Sequence, residues 1–255
     1  MMLSVQNNFA YTIGTTPPPQ QAVAFATPNS AGNGLIVIAY FLCALPCRNP
    51  NLEISDSRSN SYQAAGGCGI YDGSNWTSLL KAWYVQSCAG GSNTVTVTET
   101  VDTDSGTTVL AVSVFEYSGS FGTLDASAFA VGLALKTMTM NVMTTAVDLL
   151  FAYGVNYAVR PTISLDSNSL GWTQEQSESI ENTIVPTYTI VAPLGVDKVA
   201  DAGPQSITMD VTQQSGGMDL ALLIALPVGW TPPPAPSPSP APPASGSSVS
   251  WPTIF

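Results

Sequence analysis

Apolar and polar residues alternate with a period of two along most of this chain, and no stretch sustains the three-to-four-residue recurrence of an amphipathic helix. The plainest case is Thr94-Val95-Thr96-Val97-Thr98, where both valines fall on one face and the threonines on the other. Clusters of Gly, Asn, Asp, Ser and Pro interrupt the pattern at short intervals and predict strands over 21–27, 33–42, 79–86, 93–101, 107–117, 136–144, 147–157, 185–192, 205–212 and 218–228. The turn-forming run Asp102-Thr103-Asp104-Ser105-Gly106 predicts a hairpin between the fourth and fifth of these. The longest apolar run, 34–45, falls short of the roughly 20 residues a membrane-spanning helix needs and reads as a buried strand. Strands without helices predict an all-β fold, a single jelly-roll-like antiparallel β-sandwich. A sandwich is favoured over a barrel because several strands look apolar on one face only.

Two proline blocks frame this pattern. Pro17-Pro18-Pro19 closes an extended N-terminal arm over 1–19, leaving 20–229 for the sandwich domain. Residues 230–248 form a Pro/Ser-rich linker whose prolines cannot enter a sheet interior. Such a segment adopts polyproline II, a semi-rigid strut reaching on the order of 40 Å at about 3.1 Å per residue. An apolar C-terminal tail, 249–255, follows. No charged side chain occurs after Asp219, yet the chain finishes on Trp251, Ile254 and Phe255, large apolar groups of the kind that dock on a protein surface. These three are the candidate partner-binding anchors.

Charge narrows the picture. Asp, Glu, Lys and Arg make up 9% of the chain, against roughly 25% in an average domain, so the surface is polar but nearly uncharged. Net charge is −11, and the six bases are scattered singly. No basic patch is available to neutralise phosphates, which argues against nucleic acid as a partner. The absence of histidine removes the commonest general acid-base group near neutral pH and any Ser-His-Asp triad. No enzymatic activity, cofactor or membrane insertion is expected. Residues 1–6 lack the basic start and apolar core of a secretory signal, and the retained Met1 favours a chain made without one. Cys43, Cys47, Cys68 and Cys88 match no usual zinc spacing; disulfides and buried thiols both fit, and any pairing among the four is open.

Several smaller features carry chemistry only weakly. Asp102 and Asp104 have the spacing that begins a calcium loop, but no distal bidentate Glu follows, and a plain turn is the favoured reading. Glu175, Glu178 and Glu181 cluster as on a charge-protected edge strand. Trp76, Trp83, Tyr84, Tyr71 and Tyr62 could line a sugar-binding face, although packing is favoured for them. Trp83 and Tyr84 are adjacent on a strand and must point to opposite faces, leaving at most one as a surface platform. Asn75-Trp76-Thr77 is formally a glycosylation sequon.

Across 28–227 the order of motifs resembles a β-sandwich module of bacterial secreted and phage-associated surface proteins. The resemblance rests on Gly34-Leu35-Ile36-Val37-Ile38, on Ile54-Ser55-Asp56-Ser57 with Asn60-Ser61-Tyr62, and on Trp83-Tyr84 followed by Ala89-Gly90-Gly91-Ser92-Asn93. Val114-Phe115-Glu116-Tyr117-Ser118-Gly119 with Leu124-Asp125, Leu149-Leu150-Phe151-Ala152 and Gly171-Trp172-Thr173 complete it. The chain departs from that pattern in its cysteine-bearing segment at 43–51, in a second insertion at 65–74, and in a proline arm that ends in a short tail. The resemblance implies two packed antiparallel sheets used for display, adhesion or a virion surface, and no catalytic residues. The resulting expectation is a non-enzymatic, homo-oligomeric structural protein at a virion surface or outside a cell. It would be a phage capsid decoration or cement protein, or a head fibre, docked on capsid or sister subunits. The alternatives are a secreted carbohydrate-binding or adhesive module that takes surface glycans, and a subunit of an extracellular filament.

Overall fold

The computed structural model describes residues 2–14, 19–44, 50–71, 76–100, 108–158, 161–181, 189–212 and 217–229. Its described residues form sixteen strands and no helix. The first eight are β1 (Ser4–Gly14), β2 (Gln20–Ala24), β3 (Gly34–Ala44), β4 (Leu52–Asp56), β5 (Gln63–Tyr71), β6 (Trp76–Val85), β7 (Thr94–Glu99) and β8 (Thr108–Tyr117). The second eight are β9 (Ala126–Leu133), β10 (Thr137–Thr144), β11 (Asp148–Ala158), β12 (Thr162–Leu165), β13 (Thr173–Glu181), β14 (Thr189–Ala200), β15 (Gly203–Thr212) and β16 (Met218–Pro227). Every pairing between them is antiparallel.

The strands form four sheets, not the two of a single sandwich. The five-stranded sheets have the orders β1-β8-β3-β6-β5 and β13-β14-β11-β16-β9, and the three-stranded ones β2-β7-β4 and β10-β15-β12. Adding eight to each strand number of the first half reproduces both sheets of the second. The chain is therefore two successive halves wound in the same strand order. Local geometry repeats too. The Ser57 N–H donates to the Thr94 carbonyl at 3.0 Å and the Asp166 N–H to the Thr208 carbonyl at 3.1 Å, each just after the short third strand of its outer sheet.

Three apolar clusters stack these sheets into four layers. In the central one, Ile36, Ile38 and Tyr40 of β3 and Phe115 of β8 meet Phe151 and Tyr153 of β11 and Leu222 and Ile224 of β16. On the opposite face of the first inner sheet, Leu35, Val37, Phe41 and Val112 are covered by Val23, Leu52, Val95 and Val97. Leu150, Ala152 and Leu223 are covered in the same way by Met138, Met140, Ile207 and Met209. The inner sheets are thus buried on both faces, which explains why β8 and β11 are buried at every position and read as continuous apolar runs. Antiparallel strands with one face in water would alternate. The outer strands β7 and β10 do alternate. Each fully buried large apolar side chain contributes about 1.5–3 kcal/mol relative to exposure.

Two further expectations change. The hairpin across 102–106 is not formed, because β7 lies in an outer sheet between β2 and β4 while β8 lies in an inner sheet between β1 and β3. One apolar face suits β7 to an outer layer and two suit β8 to an inner one, so the chain changes sheets between them. The N-terminal arm is largely a strand: β1 pairs along the whole of β8, from Ser4 opposite Tyr117 to Gly14 opposite Thr108. The linker and tail at 230–255 lie outside the described residues.

Candidate functional site

The residues singled out from sequence do not converge on one place. Trp251, Ile254 and Phe255, together with Asp102 and Asp104, lie outside the described residues, as does Cys47. Among the described residues no cluster of three or more His, Cys, Asp or Glu side chains is arranged to hold a metal ion. Cys43 is disulfide-bonded, whereas Cys68 and Cys88 are buried free thiols. Burial pushes the Cys68 thiol up to about 12 and the Cys88 thiol up to about 11, so neither supplies a thiolate nucleophile near neutral pH. Trp83 and Tyr84 do point to opposite faces, but both faces of their sheet are covered. Trp83 packs in the outer cluster and Tyr84 in the central one, leaving neither as a sugar platform. The Tyr84 hydroxyl donates to Gln63 Oε1 and accepts from the Leu124 N–H. The Tyr62 hydroxyl is likewise engaged, donating to Asp56.

A polar hub that sequence reasoning did not single out surrounds Glu116. Its carboxylate is wholly buried in β8. It accepts hydrogen bonds from Gln6 Nε2 of β1, Asn29 Nδ2 (2.8 Å), the Ser30 N–H (2.9 Å) and Asn33 Nδ2 (2.7 Å). Burial acts to raise the Glu116 pKa, but these donors outweigh it and hold the group below the usual carboxylate range. Gln6 also accepts from the Thr27 N–H and hydroxyl, so one carboxylate ties β1 and the loop before β3 to the centre of the sheet. Asp219 does comparable work in the second half, accepting from the Leu135 N–H and Asn156 Nδ2.

Asp148 and Asp125 form a carboxyl pair at the start of β11. Burial, then the neighbouring Asp125, pushes Asp148 up to about 7, while hydrogen bonds from the Thr145 N–H and hydroxyl hold Asp125 low. Paired carboxyls of unequal pKa are the raw material of acid-base chemistry. Here Asp148 has no exposed surface, so a substrate has no route to it.

One open groove, about 270 Å³, lies beside the loop between β12 and β13 and is lined by Asp166, Asn168, Leu170, Trp172, Lys198 and Ser206. Lys198 Nζ stands 5.5 Å from the centre of the Trp172 ring, and Leu170 is 79% exposed. Asp166 Oδ1 accepts from the backbone and side chain of Asn168, which fixes the loop. The loop after β4 in the first half is filled instead. There Asp56 Oδ2 accepts from Asn60 Nδ2 (2.6 Å), the Tyr62 hydroxyl (2.9 Å) and Asn93 Nδ2 (3.0 Å). The sequence signal for the groove is Gly171-Trp172-Thr173, whose tryptophan is partly buried against the outer cluster of the second half and borders the groove. All three positions of the acidic cluster, Glu175, Glu178 and Glu181, lie on β13, an edge strand of its sheet.

Compared with known proteins, the chain matches no family model, no curated protein and no solved structure. Fold and sites therefore carry the functional argument by themselves.

Proposed function

We propose that this chain is a non-enzymatic structural subunit of a surface assembly, a phage capsid decoration or cement protein or a head fibre, that docks through its C-terminal arm. The strand order supports a jelly-roll reading of each half, in which β1-β8-β3-β6 faces β2-β7-β4, although β5 is attached beside β6 instead of extending the smaller sheet. Jelly rolls recur in viral capsid and lectin domains, a fold-level analogy that does not by itself assign a role. The observation that carries the proposal is how the buried acids are used. Glu116 and Asp219 are occupied in joining strands, and Asp148 is buried, so these three acids serve rigidity instead of facing a substrate.

A rigid double sandwich followed by a proline strut and apolar anchors suits multivalent clamping, in which many weak tail contacts gain from high effective concentration. Deleting residues 249–255 is expected to abolish incorporation into particles while leaving the unfolding midpoint unchanged. Unaltered occupancy by electron microscopy would refute docking through the tail.

The groove at Trp172 favours a second reading, a secreted carbohydrate-binding or adhesive module. An aromatic ring beside amide, carboxyl and ammonium groups is suited to stacking and hydrogen bonding with a pyranose. On this reading the chain is retained on immobilised polysaccharide, and Trp172→Ala lowers retention at least ~10-fold, the equivalent of ~1.4 kcal/mol. A wild-type chain that passes through unretained excludes it.

A further inference from the structure

Asp148 breaks the pattern set by Glu116 and Asp219. It is wholly buried at the first position of β11, yet neither of its carboxyl oxygens has a hydrogen-bond donor among the N–H and O–H groups of the described residues. An ionised carboxylate there would have neither water nor a dipole to hold its charge. What faces it is a second acid, Asp125, within hydrogen-bonding reach and already accepting from the Thr145 N–H and hydroxyl. Two carboxyl groups meet at that range with a proton or a cation between them. The described residues supply no third acidic, histidine or cysteine ligand for a cation, which leaves the proton. The pair also sits where the last strand ends. Asp148 lies opposite Pro227 of β16 and Ala200 of β14, while Asp125 leads into β9 on the other flank of β16. The Asp125 N–H donates to the Ala225 carbonyl (3.0 Å), the Gly122 N–H to that of Pro227 (2.7 Å) and the Val228 N–H to that of Val147 (3.0 Å).

We infer that Asp148 and Asp125 share one proton across the end of β16 and form a pH-sensitive clasp, closed while the proton is held and opened when it passes to solvent. Burial, then Asp125, pushes Asp148 up to about 7, so the clasp opens across the neutral range. Once Asp148 is ionised, two like charges face each other with no donor for the buried one, and the backbone bonds at 122, 125 and 228 loosen. No other charged group is placed to relieve that repulsion. On β14, Lys198 holds its Nζ over the Trp172 ring, and the exposed Asp201 that follows Ala200 adds negative charge. On β15, Asp210 lies opposite Thr137, at the far end of β10 from Thr145. β10 itself carries no charge, and neither does β16 beyond Asp219. The clasp is a property of the second half and does not depend on where the C-terminal arm docks.

Urea denaturation of the full chain tests it, with Asp148→Asn as the comparison, since an amide at 148 can donate to Asp125 at every pH. The folded-state pKa of Asp148 lies above its unfolded value, so its stabilisation is full below the unfolded pKa and is lost as pH rises through the folded one. Relative to the variant, the unfolding constant of the wild type should therefore rise at least ~10-fold from pH ~5 to pH ~8. Hydrogen exchange, corrected for intrinsic rates, gives the local readout. The Gly122, Asp125 and Val228 amides should lose protection over that range in the wild type and keep it in Asp148→Asn. Asp125→Asn, which removes the facing charge and can donate to Asp148, should move the transition to lower pH, and it serves equally if Asp148→Asn does not fold. A constant ratio between wild type and Asp148→Asn overturns the inference, as do unchanged protection at the three amides and a transition that Asp125→Asn leaves in place. Calcium chloride that stabilises the wild type but not Asp148→Asn at pH ~8 also overturns it, because a cation would then complete the pair.

Discussion

Glu116→Leu is expected to destabilise the fold by about 3–5 kcal/mol, because it removes the acceptor shared by four converging donors and leaves them facing a hydrocarbon. Asn29 is buried and cannot turn to water for a replacement. Glu116→Gln keeps the shape and one carbonyl oxygen but aims an NH2 group at other donors, so about 2–3 kcal/mol is expected. Urea denaturation midpoints measure both changes. The pH dependence separates charge from shape. The folded-state pKa of Glu116 lies below its unfolded value, so its contribution is fully present above the unfolded pKa and is lost as pH falls through the folded one. Wild type and Glu116→Gln should therefore converge in stability on acidification. A gap of constant size down to pH ~2 would show that the carboxylate charge does not matter there.

This hub shows what the one-dimensional pattern carries and what it omits. Glu116 interrupts the apolar run Val114-Phe115-Glu116-Tyr117, as Asp219 interrupts Met218-Asp219-Leu220, and a lone acid inside a doubly buried strand is a legible sign of a structural carboxylate. Its donors are not legible: Gln6, Asn29 and Asn33 reach it across 83 to 110 residues of chain. The strands divide in the same way. Nine of the ten expected strands match observed ones, and the tenth, 185–192, overlaps β14 (Thr189–Ala200) only from Thr189 because 185–188 lie outside the described residues. The remaining six, β1, β4, β5, β9, β12 and β13, are all sheet edges. An edge strand buries less, so selection for apolar alternation is weaker and Gly, Gln, Asn and Ser enter. The glycines of β5 answer a different demand: a Cβ on Gly67 would come within 2.9 Å of the Leu80 carbonyl oxygen and one on Gly69 within 3.0 Å of that of Ser78. The doubling of the fold left only faint traces, such as Ile54-Ser55-Asp56-Ser57 against Ile163-Ser164-Leu165-Asp166. Four layers instead of two could have been read from the continuous apolar runs in β3, β8, β11 and β16, since only strands covered on both faces tolerate them.

Phe151→Ala should cost about 3–5 kcal/mol and is the most direct probe of how the two halves cohere. The ring belongs to the second half, but its centroid lies 4.8 Å from that of Phe115 and 6.5 Å from that of Tyr117, both in the first. Truncation opens a cavity in the central cluster, which both inner sheets build and where Phe115, Tyr117 and Tyr153 have no solvent into which to relax. Other contacts cross the same boundary, among them Ser113 Oγ with the Tyr153 hydroxyl and Cys68 Sγ with the Ala221 carbonyl. Neither inner sheet can expose its central face without leaving large aromatic side chains in water, so the halves should unfold together. A single transition with a lowered midpoint and an unchanged denaturant slope is therefore expected for Phe151→Ala. A transition that splits in two would mean that each half is stable alone. The central cluster would then be a docking surface between two finished domains, not the core of one.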